Sequence, residues 1–265
     1  MAKKQIEIIY QDSDILVINK PCGISVTKDR SEHDDIIDIL SKQLNLNADE
    51  KLLLVHRLDK FTSGVMALAK NTETQTRLSG DFAKRLVHKT YLAIVSGFVE
   101  EHSGQIDLPI AHCKNRPEIM VVSDKKGKDA VTNWRLLADF GSLALLAVQP
   151  VTGRTHQIRV HLKNASMPLV IDPLYGGTNP IMLSEFKPKY RLGRDRIESP
   201  LIDRLTLHAY QLELNLSSAK PECFVAALDK KFAAAVKMLT KHNPKGPAAF
   251  LNPEDFDNII NARQI

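Results

Sequence analysis

Val55-His56-Arg57-Leu58-Asp59-Lys60-Phe61-Thr62-Ser63-Gly64 stands between two apolar runs, residues 52–55 and 65–69. Each run has the length and uniform apolarity of a buried strand. The segment joining them packs two cations, an aspartate and a tight turn into one crossover, more polar chemistry than core formation requires. Asp59 has an ordinary explanation as a turn residue, because aspartate caps nearby backbone N–H groups.

The pattern extends outward from this crossover. Residues 6–10 and 15–19 read as strands around a Gln-Asp-Ser-Asp turn, and Lys20-Pro21-Cys22-Gly23 ends the second. Ile36, Ile37, Leu40 and Leu44 recur at helical spacing and predict a helix over 34–45, with Asp34 and Asp35 at its positive end. A helix over 72–86 follows, then strands at 91–96, 119–123, 131–137 and 143–148. A short helix is predicted at 155–164, strands at 205–214 and 223–227, and a last helix at 229–242 with Phe232, Val236 and Leu239 on one face. Many strands with scattered helices predict an α+β fold, not alternating βαβ units. The charged stretch 178–204 and the tail after Pro244 read as mobile.

With 43% hydrophobic and 25% charged residues in 265, the composition is that of a globular chain with a sizeable core. No apolar run reaches the length of a membrane span, and no secretory leader is expected. Cys22, Cys113 and Cys223 lie too far apart for a CxxC knuckle and suit reduced thiols in the cytoplasm. A net charge of +5 is compatible with a polyanionic partner but does not establish one.

Two further segments are chemically rich. His88-Lys89-Thr90-Tyr91 opens a strand with a tyrosine behind two basic residues; taken alone, Tyr91 is an ordinary half-buried strand aromatic. Gly153-Arg154-Thr155-His156-Gln157-Ile158-Arg159-Val160-His161 places Thr155 and Arg159 four apart on the predicted helix. Arg159 is either a surface cation or, given Ile158 and Leu162, partly buried. The five-residue spacing of His156 and His161 does not align them as metal ligands, and no metal is expected.

Together and in this order, the segments resemble the RluA family of pseudouridine synthases. His-Arg-Leu-Asp with Thr-Ser-Gly stands at 56–59 and 62–64, and a basic residue ahead of tyrosine at Lys89-Thr90-Tyr91. Gly-Arg-Thr-His-Gln-Ile-Arg-Val-His is complete at 153–161. Pro168-Leu169, Asp172 and Tyr175-Gly176 fit a following element, and Leu207-His208-Ala209 a late one. The resemblance covers residues 6–228, read as the catalytic domain; 229–265 is an extension of unassigned role. The S4 RNA-binding domain of many relatives is not expected.

The resemblance implies a mixed, mostly antiparallel central sheet flanked by helices, with the active site in a central cleft. It implies Asp59 as the catalytic group, acting as nucleophile on the sugar or as base at C2′. Arg159 matches the arginine that pairs with this aspartate, and Tyr91 the tyrosine that stacks on the target base and is implicated in removing the C5 proton. Arg57 matches a residue that enters the RNA where the flipped base leaves, and Leu207 one that lines the base pocket. Arg154, His156, Lys60, Lys89 and the cations of 187–196 are phosphate-contact candidates from charge alone. Isomerisation needs no cofactor, and no GxGxxG or GxxxxGK[ST] motif is placed to bind one. Ribosomal RNA is the leading substrate and transfer RNA the next. The alternatives are a non-catalytic RNA-binding protein of the same fold, and a glycoside hydrolase, for which a second carboxylate is wanting.

Overall fold

The computed structural model describes residues 5–28, 34–47, 49–191, 196–216, 220–242 and 249–265. Its contacts divide the chain into two units. One comprises Met1–Lys89, His208–Ala227 and Gln264, and the other Thr90–Leu207, Leu228–Arg263 and Ile265.

The first unit is built on two strands whose side chains are buried on both faces. β2 (Ile15–Lys20) and β4 (Ser63–Ala69) pair antiparallel from Ile15↔Ala69 to Lys20↔Gly64. Near-continuous apolar sequence is what double-sided burial demands. β1 (Glu7–Gln11) pairs with β2 across the predicted turn, where Asp12 Oδ1 accepts the Asp14 and Ile15 N–H groups at 2.7 Å each. β3 (Leu53–Leu54) lies antiparallel on β4. α1 (Ile36–Leu44) is closed by a reciprocal Asp35/Asp38 capping box, and α2 (Thr72–Ala83) by Asn71 accepting the Thr74 N–H.

β11 (Leu207–Leu214) runs parallel to β4 through His208↔Ser63 and Ala209↔Gly64, and β12 (Glu222–Val225) pairs antiparallel with it. At Gly64, φ is +115°, and an added Cβ would lie 2.0 Å from the Ala209 carbonyl oxygen. Only glycine fits, because the backbones touch there.

The second unit carries an antiparallel sheet in the order β5-β10-β9-β6. Its strands are β5 (His88–Ser96, whose first two residues belong to the first unit), β6 (Ser103–Asp107), β9 (Val131–Asp139) and β10 (Leu143–Pro150). One core cluster joins Ala93, Val95, Leu136, Leu146 and Val148 to Ile158 and Leu162 of α3 (Gln157–Asn164). β7 (Ile110–His112) and β8 (Met120–Val122) form a separate ribbon. α4 (Lys230–His242) buries Phe232, Val236 and Leu239, as its periodicity predicts. α5 (Pro253–Ile260) follows, with Phe250 bridging to Ala138 of β9 and Asp255 meeting Arg135 at 3.0 Å.

The α+β expectation holds: within each unit the described pairs are antiparallel apart from β4–β11. The differences are local. α3 begins at Gln157, because His156 sits in the left-handed region with φ +53°; Thr155 is therefore off the helix that was predicted to carry it beside Arg159. Strand 119–123 contracts to β8 and joins a ribbon. β6, β7 and α5 were not anticipated, and α5 lies in the tail read as mobile. In the 178–204 stretch, buried Ile181 and Ile202 form a bridge that ties its two ends together. Leu192, Gly193, Arg194 and Asp195 of that stretch, and 245–248 of the tail with the two residues before them, lie outside the described residues. No described helix is long and apolar enough to cross a membrane.

Candidate active site

In the first unit, the chain leaves β3 before it can extend the ladder on β4, and His56 supplies the missing acceptor. Its Nε2 takes the Ala67 N–H at 3.0 Å, and its ring stacks on Phe82 with centroids 4.5 Å apart. An accepting Nε2 requires the neutral imidazole protonated on Nδ1. Burial, with the charge of Lys89 nearby, pushes its pKa down from 6.5 to about 3. The unfolded chain therefore takes up this proton first as pH falls. The stabilisation from neutral His56 is complete above about pH 6.5 and is lost as pH drops towards 3. His56→Gln should flatten the pH dependence of the urea midpoint between about pH 7 and pH 5 relative to wild type; superimposable profiles would show that His56 titrates normally.

From this anchor the chain turns through Asp59. The Thr62 N–H donates to the Asp59 carbonyl at 3.1 Å. The Lys60 carbonyl receives the Gly23 N–H at 2.9 Å and Lys20 Nζ at 3.1 Å. Lys20 is fully buried, and its ammonium also donates to the Pro21 and Ile24 carbonyls at 3.1 and 2.8 Å. Three N–H donors meeting three carbonyls is what makes a buried lysine tolerable. Lys20 thus clamps the Lys-Pro-Cys-Gly bend to the residue after Asp59. Sequence reading had treated that bend only as a strand end.

Ser63 and His208 explain why Thr-Ser-Gly and Leu-His-Ala belong together. His208 Nε2 faces the Ala226 carbonyl at 3.2 Å and must donate, so its Nδ1 accepts the Ser63 hydroxyl at 2.9 Å. With the Gly64–Ala209 contact, this holds the far side of the turn. Asp59 and Lys60 remain half-buried and Arg57 exposed.

The second unit contains Tyr91, Arg159, Leu207, Arg154 and His156. Arg159 is 5% exposed and binds Asp172, itself fully buried, through Nε and Nη2 at 2.7 Å each. The Asp172 carboxylate also accepts the Leu174 and Tyr175 N–H groups at 3.0 and 3.2 Å. Short, paired, charge-assisted bonds of this kind fix a guanidinium plane. Tyr175 lies beneath it, 4.9 Å from the guanidinium carbon to the ring centroid. The Tyr175 hydroxyl accepts the Met120 N–H at 2.7 Å and is hydrogen-bonded to His156 Nδ1 at 2.8 Å.

Much of the rest of the 153–161 motif is bonded to neighbouring protein groups. Gln157 Oε1 accepts the Thr152 hydroxyl and the Arg154 N–H at 2.7 and 2.9 Å. Its Nε2 donates to the Val131 carbonyl and Thr132 Oγ1, both at 2.9 Å. His161 spans the Leu108 carbonyl and Thr132, and burial keeps its pKa below the usual value. Arg154 Nε rests on the Asp129 carbonyl. Tyr91 is half-buried against the core cluster, and Leu207 is buried within it.

Two phosphate-contact candidates are thus partly committed to protein partners. His156 is bonded to Tyr175, and Lys89 lies 6.0 Å above the Phe82 ring with its pKa lowered by burial. Asp172 and Tyr175 were noticed in sequence as part of a run, without their link to Arg159.

Residues 14–164, more than half of the chain, match the family model described as RNA pseudouridylate synthase. The chain belongs to that family. It is 37% identical over 235 residues to ribosomal large subunit pseudouridine synthase D of Borreliella burgdorferi, covering 86% of this chain and 66% of the relative. It is 35% identical to an uncharacterized RNA pseudouridine synthase of Zymomonas mobilis, covering 85% and 94%. Among solved structures, human RNA pseudouridylate synthase domain containing 4 superposes with a TM-score of 0.66 at 29% identity, over 88% of this chain and 92% of that one. The chain spans between about half and two thirds of the length of several ribosomal relatives of this RNA pseudouridylate synthase family, 52% in Xanthomonas campestris and 60% in Buchnera aphidicola.

Proposed function

We propose that this protein isomerises uridine to pseudouridine in structured RNA, with Asp59 as its catalytic residue and no cofactor. The observation that carries this reading is the Asp59 turn. It is clamped from one side by Lys20 and Gly23, from the other by the Ser63–His208 bond, and leaves the aspartate half-buried. A rigid backbone presenting one carboxylate is what positioned attack requires. The N1–C1′ bond breaks, the uracil turns, C5 bonds to C1′, and the proton lost from C5 is matched by one taken up at N1, so the product is an isomer of the substrate. Asp59 attacks C1′ or removes the C2′ proton; both routes use the same carboxylate.

In this proposal Tyr91 stacks on the uracil and takes part in removing the C5 proton, and Leu207 lines the base pocket. Arg159 is the cation that keeps a reacting carboxylate charged, and the bidentate grip of Asp172 supports that role by setting its direction. Arg57, exposed, fills the space vacated by the flipped base, whose extrusion costs a few kcal/mol. Arg154 and His156 bind substrate with whatever donors their protein bonds leave, and Lys60 is a further phosphate contact. Ribosomal RNA ranks ahead of transfer RNA because the named activities of several relatives are ribosomal. Three free thiols suit the cytoplasm.

The test is tritium release from cellular RNA labelled at C5 of uridine, taken from a strain lacking this enzyme and separated into ribosomal and transfer fractions. Release from ribosomal RNA supports the full reading; release from transfer RNA alone corrects the substrate. No release from either fraction favours a binding protein.

RNA affinity should fall steeply with salt, because lysine and arginine contacts to phosphates displace counterions. Each contact adds about 0.7 to the slope of log K against log salt on single strands. A flat response in a filter-binding titration between about 50 and 200 mM salt would remove RNA as the partner.

A further inference from the structure

Phe61 lies two residues after Asp59 and is 51% exposed, while its neighbours Leu58, Thr62 and Ser63 are buried. Single exposed apolar residues are ordinary on protein surfaces, but the backbone that carries this one is held at several points. Its carbonyl accepts Cys22 Sγ at 3.1 Å, the preceding carbonyl accepts Gly23 N and Lys20 Nζ, and the following N–H closes the turn on Asp59. The backbone is fastened on every side and the ring is left in water. Exposed Arg57 and half-exposed Lys60 share the turn. An exposed aromatic on a held backbone, with two cations in the same turn, is the composition of a platform for single-stranded nucleic acid. A protein partner would call for a wider apolar surface with few charges at its centre.

We propose that Phe61 is a stacking platform for an unpaired base of the RNA substrate next to the uridine that reacts. The assignment rests on the proposed function. Extruding a nucleotide leaves its neighbours without a stacking partner, and an exposed aromatic ring carried on an already fixed backbone can take that place with only its side-chain torsions left to order. Stacking accepts any base, so Phe61 contributes affinity for an unpaired strand while sequence is read elsewhere.

The direct test compares decauridylate with a decamer of the same sugar-phosphate backbone lacking bases, by fluorescence anisotropy on the full chain. Phe61→Ala is expected to lower affinity for decauridylate about tenfold, the scale of one aromatic–base stack, and to leave the abasic decamer unaffected. Phe61→Tyr restores binding and Phe61→Leu does not, because a flat π face and not mere apolarity is required. In tritium-release assays on C5-labelled RNA, the Phe61→Ala loss should fall on KM, not kcat. Thermal melts of the variants should match wild type, since the ring is outside the core. Equal wild-type and Phe61→Ala affinities for decauridylate would overturn the proposal. So would equal losses on both decamers, or a leucine variant that binds like wild type. Absence of tritium release by wild type would remove the proposed function, whereas the decamer comparison reads the stacking itself.

Discussion

Asp59→Asn should reduce tritium release from C5-labelled RNA by about a thousandfold or more, with RNA affinity changed by no more than about twofold. Asparagine keeps the size and shape of aspartate but can neither attack C1′ nor accept the C2′ proton, so both routes fail together. The substitution should leave the turn standing. The backbone bonds described for it use the Asp59 carbonyl, the Lys60 carbonyl and the Lys20 ammonium, all of which survive. Removing a negative charge from a surface proposed to meet phosphates lowers repulsion, so affinity has no electrostatic reason to drop. Single-turnover rates and a binding isotherm on the same preparation check both halves. Wild-type turnover in the variant would remove Asp59 as the catalytic group. Joint loss of turnover, binding and thermal stability would return it to the turn-capping role that aspartate commonly has.

The elements that decide the fold were legible where burial is two-sided or periodic. β2 and β4 are uninterrupted apolar runs, and α4 repeats Phe232, Val236 and Leu239 on one face. β6 was not legible: in Ser-Gly-Gln-Ile-Asp only Ile106 is buried, too little for a period to register. α5 did announce itself, with Asn252 as N-cap, Pro253 in the first turn and Glu254 and Asp255 behind it.

The start of α3 failed for another reason. A left-handed residue, His156, interrupts a sequence that local propensity would extend upstream.

At the candidate site, the residue types were readable and their partners were not. Ser63 and His208 are 145 residues apart, and nothing local in either segment points to the other. The same holds for His56, whose acceptor role exists only because β3 stops short of its ladder, and for Lys20, whose burial depends on three carbonyls that converge only in the fold. Chemistry is carried by side-chain identity, which a sequence displays; positioning is carried by register and long-range bonds, which it does not.

Arg159 and Asp172 put that distinction to its hardest test. Asp172→Leu should cost roughly 3–5 kcal/mol, because it leaves a buried guanidinium without its counter-charge. It also strips the acceptor from the Leu174 and Tyr175 N–H groups. In a chain of this size that is a fall of roughly 10 °C in melting temperature. Replacing both partners, Arg159→Met with Asp172→Leu, should recover part of the loss, since no buried charge then remains unpaired. A double variant as unstable as the sum of the singles would show that the pair is not coupled.

The recovered stability should bring no recovery of turnover. If the ion pair exists to aim a cation and not to hold the core, the apolar replacement folds and melts cooperatively but releases tritium no faster than Asp172→Leu. Turnover near wild type in the refolded double variant would remove Arg159 from the reaction and leave the pair a purely structural device. Its buried, bidentate geometry makes the first outcome the physical expectation. A desolvated ion pair is a poor source of stability beside a well-packed apolar one, so its presence in this unit calls for a role in which direction matters.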